Sequence, residues 1–216
     1  MGELIELTTG TAYRAGLTGG GPGVLVLHAW WGLNDFFKEL CDRLAEAGFV
    51  AFAPDLYGGA LATTIEEAQA LLNGSDNAAM NQRADAAIDA LRADPAVRGA
   101  TLGAIGFSMG GAWALDFASA RPADLSACVL FYGGGEADFS AARAAYLGHF
   151  AADDPWEPEE SVLALETAIR AAGREVTFHH YSGAGHWFFE ANQPAYQPQA
   201  AALAWDRTLA FLRAKI

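Results

Sequence analysis

Cysteine is scarce in this chain. Cys41 and Cys128 are its two cysteines, too few for a disulfide framework, and a chain of 216 residues is large enough to fold without one. The expected state is two reduced thiols in a cytoplasmic protein, Cys41 on a helix and Cys128 on a buried strand. Basic residues are also few. Thirteen Lys and Arg stand against 26 Asp and Glu, for a net charge of −13. Phosphate backbones are held by clustered Lys and Arg, so this balance argues against nucleic acid as a partner and disfavours anionic membrane surfaces. The acidic excess is read as charge that keeps the protein in solution. No run of about 18 uncharged apolar residues occurs, so no membrane span is expected. The opening residues, Met1 to Glu6, are acidic and lack the apolar stretch of a signal peptide.

What the chain does have is core material. Hydrophobic residues make up 52% and aromatics 12%, the composition of a globular domain. One domain over residues 1–216 is expected. Short apolar runs at Val24–His28, Phe49–Ala53, Leu102–Gly106, Ala127–Tyr132, Ala144–Phe150 and Val176–Tyr181 read as strands. Helical patterns fall between and after them, over Asn34–Ala47, Thr64–Leu72, Asp76–Ala93, Met109–Ala120, Ser161–Ala172 and Ala200–Ala214. A leading hairpin is expected within Leu4–Leu17. Such alternation predicts an α/β fold: a single, mostly parallel sheet with helices on both faces. The stretch from Thr63 to Ala93 is too short for a separate cap domain and is expected to shape one wall of a site.

Gly106-Phe107-Ser108-Met109-Gly110-Gly111 joins a predicted strand to a predicted helix. A serine in that setting, flanked by glycines that let strand and helix approach, matches the geometry of a nucleophile elbow. The pattern alone is weak; the strand–helix context gives it weight. A serine hydroxyl needs a base. His179 and His180 lie in a strand-like run and read as sheet residues. His186 follows Ser182-Gly183-Ala184-Gly185, a loop just past that strand, where a base belongs. An acid to orient it is expected in Ala151-Ala152-Asp153-Asp154-Pro155, and spacing leaves Asp153 and Asp154 both open. Oxyanion donors are expected at the N–H of Met109 and on the loop after His28. The tryptophans of that loop, Trp30 and Trp31, read either as pocket lining or as core.

Taken together, four segments resemble the dienelactone hydrolase family. They are Trp30-Trp31-Gly32-Leu33-Asn34, Ala53-Pro54-Asp55-Leu56-Tyr57, Gly106 to Gly111, and Asp154-Pro155-Trp156-Glu157-Pro158 with Gly185-His186. The resemblance runs from about Val24 to the C-terminal helix. It implies an α/β-hydrolase fold and a triad of Ser108, Asp154 and His186, with Asp154 rather than Asp153 as the acid. It also places the second oxyanion N–H on Trp30.

Three departures from the family pattern bear on the substrate. The best-known dienelactone hydrolases carry a cysteine nucleophile, where this chain has Ser108. Their thiol-activating glutamate corresponds to Ala29. The arginines that hold the substrate carboxylate fall here at Gly59 and Glu190. Two lost guanidinium groups remove charge-assisted bonds of about 1.5–3 kcal/mol each, and a glutamate would repel an anion. The expected substrate is therefore a neutral small-molecule ester or lactone in a pocket lined by Trp30, Trp31, Tyr57, Trp187 and Phe188. A true carboxymethylenebutenolidase, holding its carboxylate through Arg83 or Arg143, is the rival reading; a non-catalytic binding domain is a third. No zinc-like Cys/His spacing and no dinucleotide-binding glycine loop occurs, so neither metal nor cofactor is expected. A monomer or homodimer is expected.

Overall fold

The computed structural model describes residues 2–216. Met1, part of the acidic opening noted above, lies outside the described residues. Among the described residues, eight strands form one sheet in the order β1-β2-β4-β3-β5-β6-β7-β8, and six helices accompany it. The chain divides into two compact units, residues 1–102 and 103–216.

The first unit carries β1 (Glu3–Glu6), β2 (Thr11–Ala15), β3 (Gly21–Leu27), α1 (Asp35–Glu46), β4 (Val50–Pro54), α2 (Ile65–Gly74) and α3 (Asn77–Ala93). The expected leading hairpin is present: β1 runs antiparallel to β2, from Glu3 opposite Arg14 to Glu6 opposite Thr11. β2 then pairs antiparallel with β4, and β4 pairs parallel with β3. Local signals explain the helices. The Asn34 side chain caps α1 by accepting the Phe37 N–H, and Gly48 ends it at φ 98°, a conformation that favours glycine. Phe36, Phe37, Leu40, Cys41, Leu44 and Ala45 form its buried face. Thr64 and Glu67 make a reciprocal capping box on α2. Asp76 caps α3 through the N–H groups of Ala78 and Ala79.

Strand β5 (Val97–Phe107) begins in the first unit and ends in the second. It is longer than the apolar run Leu102–Gly106 because its first residues are mostly exposed and so carry no apolar pattern. The second unit continues with α4 (Met109–Ala120), β6 (Leu125–Phe131), β7 (Ala145–Ala151), α5 (Glu159–Ala171), β8 (Val176–Tyr181) and α6 (Pro198–Lys215). β6, β7 and β8 pair in parallel, and β7 is buried along its whole length, as a central parallel strand should be. Cys41 and Cys128 are free and buried. Among the described residues, no helix is long and apolar enough to cross a membrane.

Parallel strands all end on the same edge. In the second unit, four segments leave that edge: the turn at Ser108, the loop from Tyr132, the loop carrying Asp154, and the loop carrying His186. Aromatic packing joins three of these segments. Phe107 stacks on Phe131 at 4.6 Å, and Phe131 meets Phe189 at 4.5 Å, between ring centroids. These rings belong to the residue before Ser108, the residue before Tyr132, and a residue just past His186.

Candidate active site

Ser108 sits between β5 and α4 with φ 50° and ψ −115°. An L-residue rarely adopts such a conformation, and holding one there costs about 1–3 kcal/mol. Its N–H donates to the Phe131 carbonyl at 2.9 Å, and its carbonyl accepts the Gly111 N–H at 2.8 Å. Glycines make the turn sterically feasible. A Cβ on Gly106 would stand 2.1 Å from the Gly110 carbonyl oxygen, and one on Gly133 would stand 2.1 Å from the Ser108 carbonyl oxygen. Gly133, just after β6, is therefore as much a part of the turn as the glycines within the motif. Met109 is the first residue of α4, in the turn where helix N–H groups point out of the helix end and favour negative charge.

Oγ of Ser108 lies 2.9 Å from Nε2 of His186. On the other side of the ring, Nδ1 lies 2.7 Å from Oδ2 of Asp154. A carboxylate accepts and does not donate, so Nδ1 carries the proton and Nε2 accepts from the serine hydroxyl. Both His186 and the Asp154 side chain are buried. Oδ1 of Asp154 accepts the N–H groups of Trp156 at 2.9 Å and Glu157 at 3.1 Å. That local turn directs Oδ2 toward His186. Asp153, the other sequence candidate, is exposed.

The remaining histidines of the second unit do other work. His149 is fully buried on β7, with Nδ1 2.8 Å from the Tyr181 hydroxyl and Nε2 3.0 Å from the Thr208 hydroxyl. Burial pushes its pKa down, which favours a neutral ring. His179 stacks on it from β8, and His180 is exposed. Both are sheet residues, as expected.

The aromatic candidates divide. Trp187, half-buried, holds φ 64° and sets its ring edge-on to His186 at 4.9 Å. Trp156, not picked out from the sequence as a site aromatic, is 47% exposed and lies 5.9 Å from Trp187 and 6.4 Å from His186 between centroids. Phe188, expected on the pocket wall, is wholly enclosed against Tyr132 and Tyr181, so its ring belongs to the core. Trp30 and Trp31 occupy the turn after β3 in the first unit, buried and edge-to-face at 5.5 Å. Tyr57 follows β4 and packs against His28 at 5.4 Å.

Glu190 departs from the sequence expectation. Read as an anion that would repel a substrate carboxylate, it is in fact completely buried, and its Oε1 accepts the Tyr132 hydroxyl at 2.8 Å. Burial raises its pKa to about 8, which favours the neutral acid and weakens the expected repulsion. The absence of a guanidinium at this position stands. Gly59 is exposed and offers no side chain. Arg83, the alternative carboxylate holder, donates from one guanidinium nitrogen to the Leu56 carbonyl at 2.6 Å; Arg143 is exposed.

The profile of the Dienelactone hydrolase family matches residues 11–216. "Protein usf" of Aquifex pyrophilus is 32% identical over 99% of this chain and 98% of its own length. The "Probable 2-oxo-3-(5-oxofuran-2-ylidene)propanoate lactonase" of Bradyrhizobium sp is 32% identical over 93% of this chain and 86% of its own. Among solved structures, a dienelactone hydrolase-like promiscuous phosphotriesterase from metagenomic libraries superposes with a TM-score of 0.88 at 30% identity, covering 100% of this chain and 98% of that one. The strand order described above is thus that of an α/β-hydrolase fold.

Proposed function

Because the chain belongs to the dienelactone hydrolase family, we propose that it hydrolyses carboxylic esters or lactones through an acyl-enzyme on Ser108. One observation carries this reading. The Ser108 hydroxyl stands 2.9 Å from a ring nitrogen of His186 at a strained turn, and His186 is itself oriented by a buried carboxylate. A neutral serine becomes a competent nucleophile when a positioned base takes its proton.

The steps follow. Ser108 Oγ attacks the substrate carbonyl while His186 Nε2 takes the hydroxyl proton. Asp154 holds the ring in its tautomer and stabilises the imidazolium that forms. The oxyanion is bound by backbone N–H groups, that of Met109 at the start of α4 and, on the family motif, that of Trp30. His186 then protonates the leaving alkoxide, which in a lactone stays attached to the acyl group. Water activated by the same histidine cleaves the acyl-enzyme and restores Ser108.

The substrate class proposed is a neutral ester or lactone. It is supported by the absence of a guanidinium at residues 59 and 190, and by the aromatic surroundings of His186, with Trp187 and, from the sequence motifs, Trp30, Trp31 and Tyr57 as lining. A second reading, a lactone bearing a carboxylate, draws on the name of the Bradyrhizobium relative. Arg83 or Arg143 would be its anion holder.

Hydrolysis of a short p-nitrophenyl ester tests the activity. Ser108→Ala and His186→Ala should each remove most of it, and variants as fast as the parent would refute the triad. Comparing dienelactone with its methyl ester tests the substrate class. Preference for the neutral ester is expected; strong preference for the free acid would favour the second reading.

A further inference from the structure

Among the described residues, three other than glycine hold a left-handed φ: Ser108, Tyr132 and Trp187. They sit on three segments, the turn after β5, the end of β6 and the His186 loop. Strain of this kind persists only where the surroundings over-determine the backbone. Tyr132 is the residue that joins the other two. Its N–H donates to the His149 carbonyl at 2.8 Å, while its neighbour Phe131 accepts the Ser108 N–H at 2.9 Å. Gly133, on its other side, leaves no room for a Cβ against Ser108. The backbone of Tyr132 is thus fixed to the nucleophile turn.

The side chain of Tyr132 reaches the other partner. Its ring packs on His186 at 5.0 Å and on Phe188 at 5.5 Å. Its hydroxyl donates to Oε1 of Glu190 at 2.8 Å. Glu190 closes the His186 loop, with its N–H donating to the Trp187 carbonyl at 3.0 Å. Oε2 of Glu190 is buried and has no hydrogen-bond partner among the described residues. Resting on the reading of Ser108 and His186 as nucleophile and base, we propose that the Tyr132–Glu190 pair is a positioning device that holds His186 over Ser108, and that it works with Glu190 as a neutral carboxylic acid.

The chemistry of the pair favours the neutral form. An ionised carboxylate, fully buried with one hydrogen bond and no cation, is costly. The charged or titratable groups facing the pair are Asp154, whose charge acts on Tyr132 from the loop after β7, and His186 on Glu190's own loop. A second anion behind the histidine would compete with Asp154 for the imidazolium and draw water toward the pair. Burial, partly offset by the Tyr132 hydrogen bond, puts the Glu190 transition at about 8. The device therefore holds at neutral pH and loosens above it.

The test is the rate of fluorophosphonate labelling of Ser108, with kcat and KM for p-nitrophenyl acetate, from pH 6.5 to 9.5. Tyr132→Phe keeps the ring and loses the hydrogen bond. It should lower kcat roughly ten- to a hundredfold, the scale of a small misplacement of a catalytic group, with KM little moved. In the parent, the rate should fall above pH 8. In Glu190→Gln, whose amide oxygen still accepts from Tyr132 and never ionises, the rate should stay flat through that range. Parental kcat in Tyr132→Phe, or a change confined to KM, would overturn the positioning role. An alkaline fall that persists in Glu190→Gln would overturn the protonated form. If Tyr132→Phe does not fold, the pH profile of Glu190→Gln decides alone. Folded parent protein with Ser108 unlabelled at every pH would instead sink the nucleophile reading, and this inference with it.

Discussion

Oδ2 of Asp154 stands 2.7 Å from Nδ1 of His186, and that contact assigns the histidine its tautomer. Asp154→Asn would reverse the assignment, because an amide N–H₂ donates to Nδ1 and forces the proton onto Nε2. The base would then face Ser108 with a donor. The expected loss in kcat is roughly 10³–10⁴-fold with the fold intact. Asp153→Asn, at an exposed site, should leave kcat near the parent's. Steady-state kinetics on the two variants check the pair, and the reverse ranking would move the acid to Asp153.

A second carboxylate governs acid stability in the first unit. Arg14 Nε donates to Asp94 Oδ2 at 2.6 Å and its Nη2 to Oδ1 at 3.1 Å, tying β2 to the end of α3. The Arg14 hydrogen bond, aided by the Ala96 N–H and opposed by partial burial, lowers the Asp94 pKa below its ordinary 3.8. A lowered pKa means stability that is present above the unfolded value and lost as pH falls through the folded one. Asp94→Asn should cost about 1–2 kcal/mol at pH 7, after allowing for the part-exposed arginine. Below pH 3.8 the two proteins should converge. Urea unfolding at pH 7 and pH 2.5 measures both; a gap that widens in acid would contradict the ion pair.

Glu190 predicts the opposite slope. Its pKa in the fold, about 8, lies above its ordinary 4.5. Below pH 4.5 both folded and unfolded chains hold the proton. Between 4.5 and 8 only the folded chain does, so its contribution falls as pH rises through that window and levels off above it. Glu190→Gln removes the dependence. Relative to the parent, it should gain a few kcal/mol on going from pH 5 to pH 8. Denaturation midpoints at the two pH values show it, and parallel pH curves would mean that Glu190 is ionised in the fold.

Much of this arrangement is legible in the sequence because it is local. Alternating apolar runs give the strands, Asn34 and Gly48 bound α1, and the setting of Ser108 and His186 at strand ends brings them to the same edge in the second unit. What escaped is burial and side-chain direction in the loops. Asp153 and Asp154 follow β7 by two and three residues, too close for spacing to separate, and only the family resemblance chose Asp154. Glu190 looks like a surface anion until burial is known, since its partner Tyr132 lies 58 residues away and reads merely as the end of a strand. Phe188 and Trp187 are adjacent and both aromatic, yet one is core and the other touches His186. Periodicity cannot separate them in a loop with left-handed backbone.

That backbone supplies a final prediction. Ser108 holds φ 50°, a conformation whose cost glycine largely escapes. Ser108→Ala keeps the strain and Ser108→Gly releases it, and both lack the nucleophile. The glycine variant should therefore be the more stable of the two by about 1 kcal/mol, even though glycine in an unstrained position loses about 0.5–1 kcal/mol to alanine. Gly133→Ala acts in the opposite sense, because its Cβ would stand 2.1 Å from the Ser108 carbonyl oxygen. It should cost about 1–3 kcal/mol and displace the nucleophile, losing activity with Ser108 still present. Urea midpoints rank the stabilities and fluorophosphonate labelling reads the displacement. A glycine variant less stable than the alanine one would show that the turn is held without strain, and the glycines around it would then need another explanation.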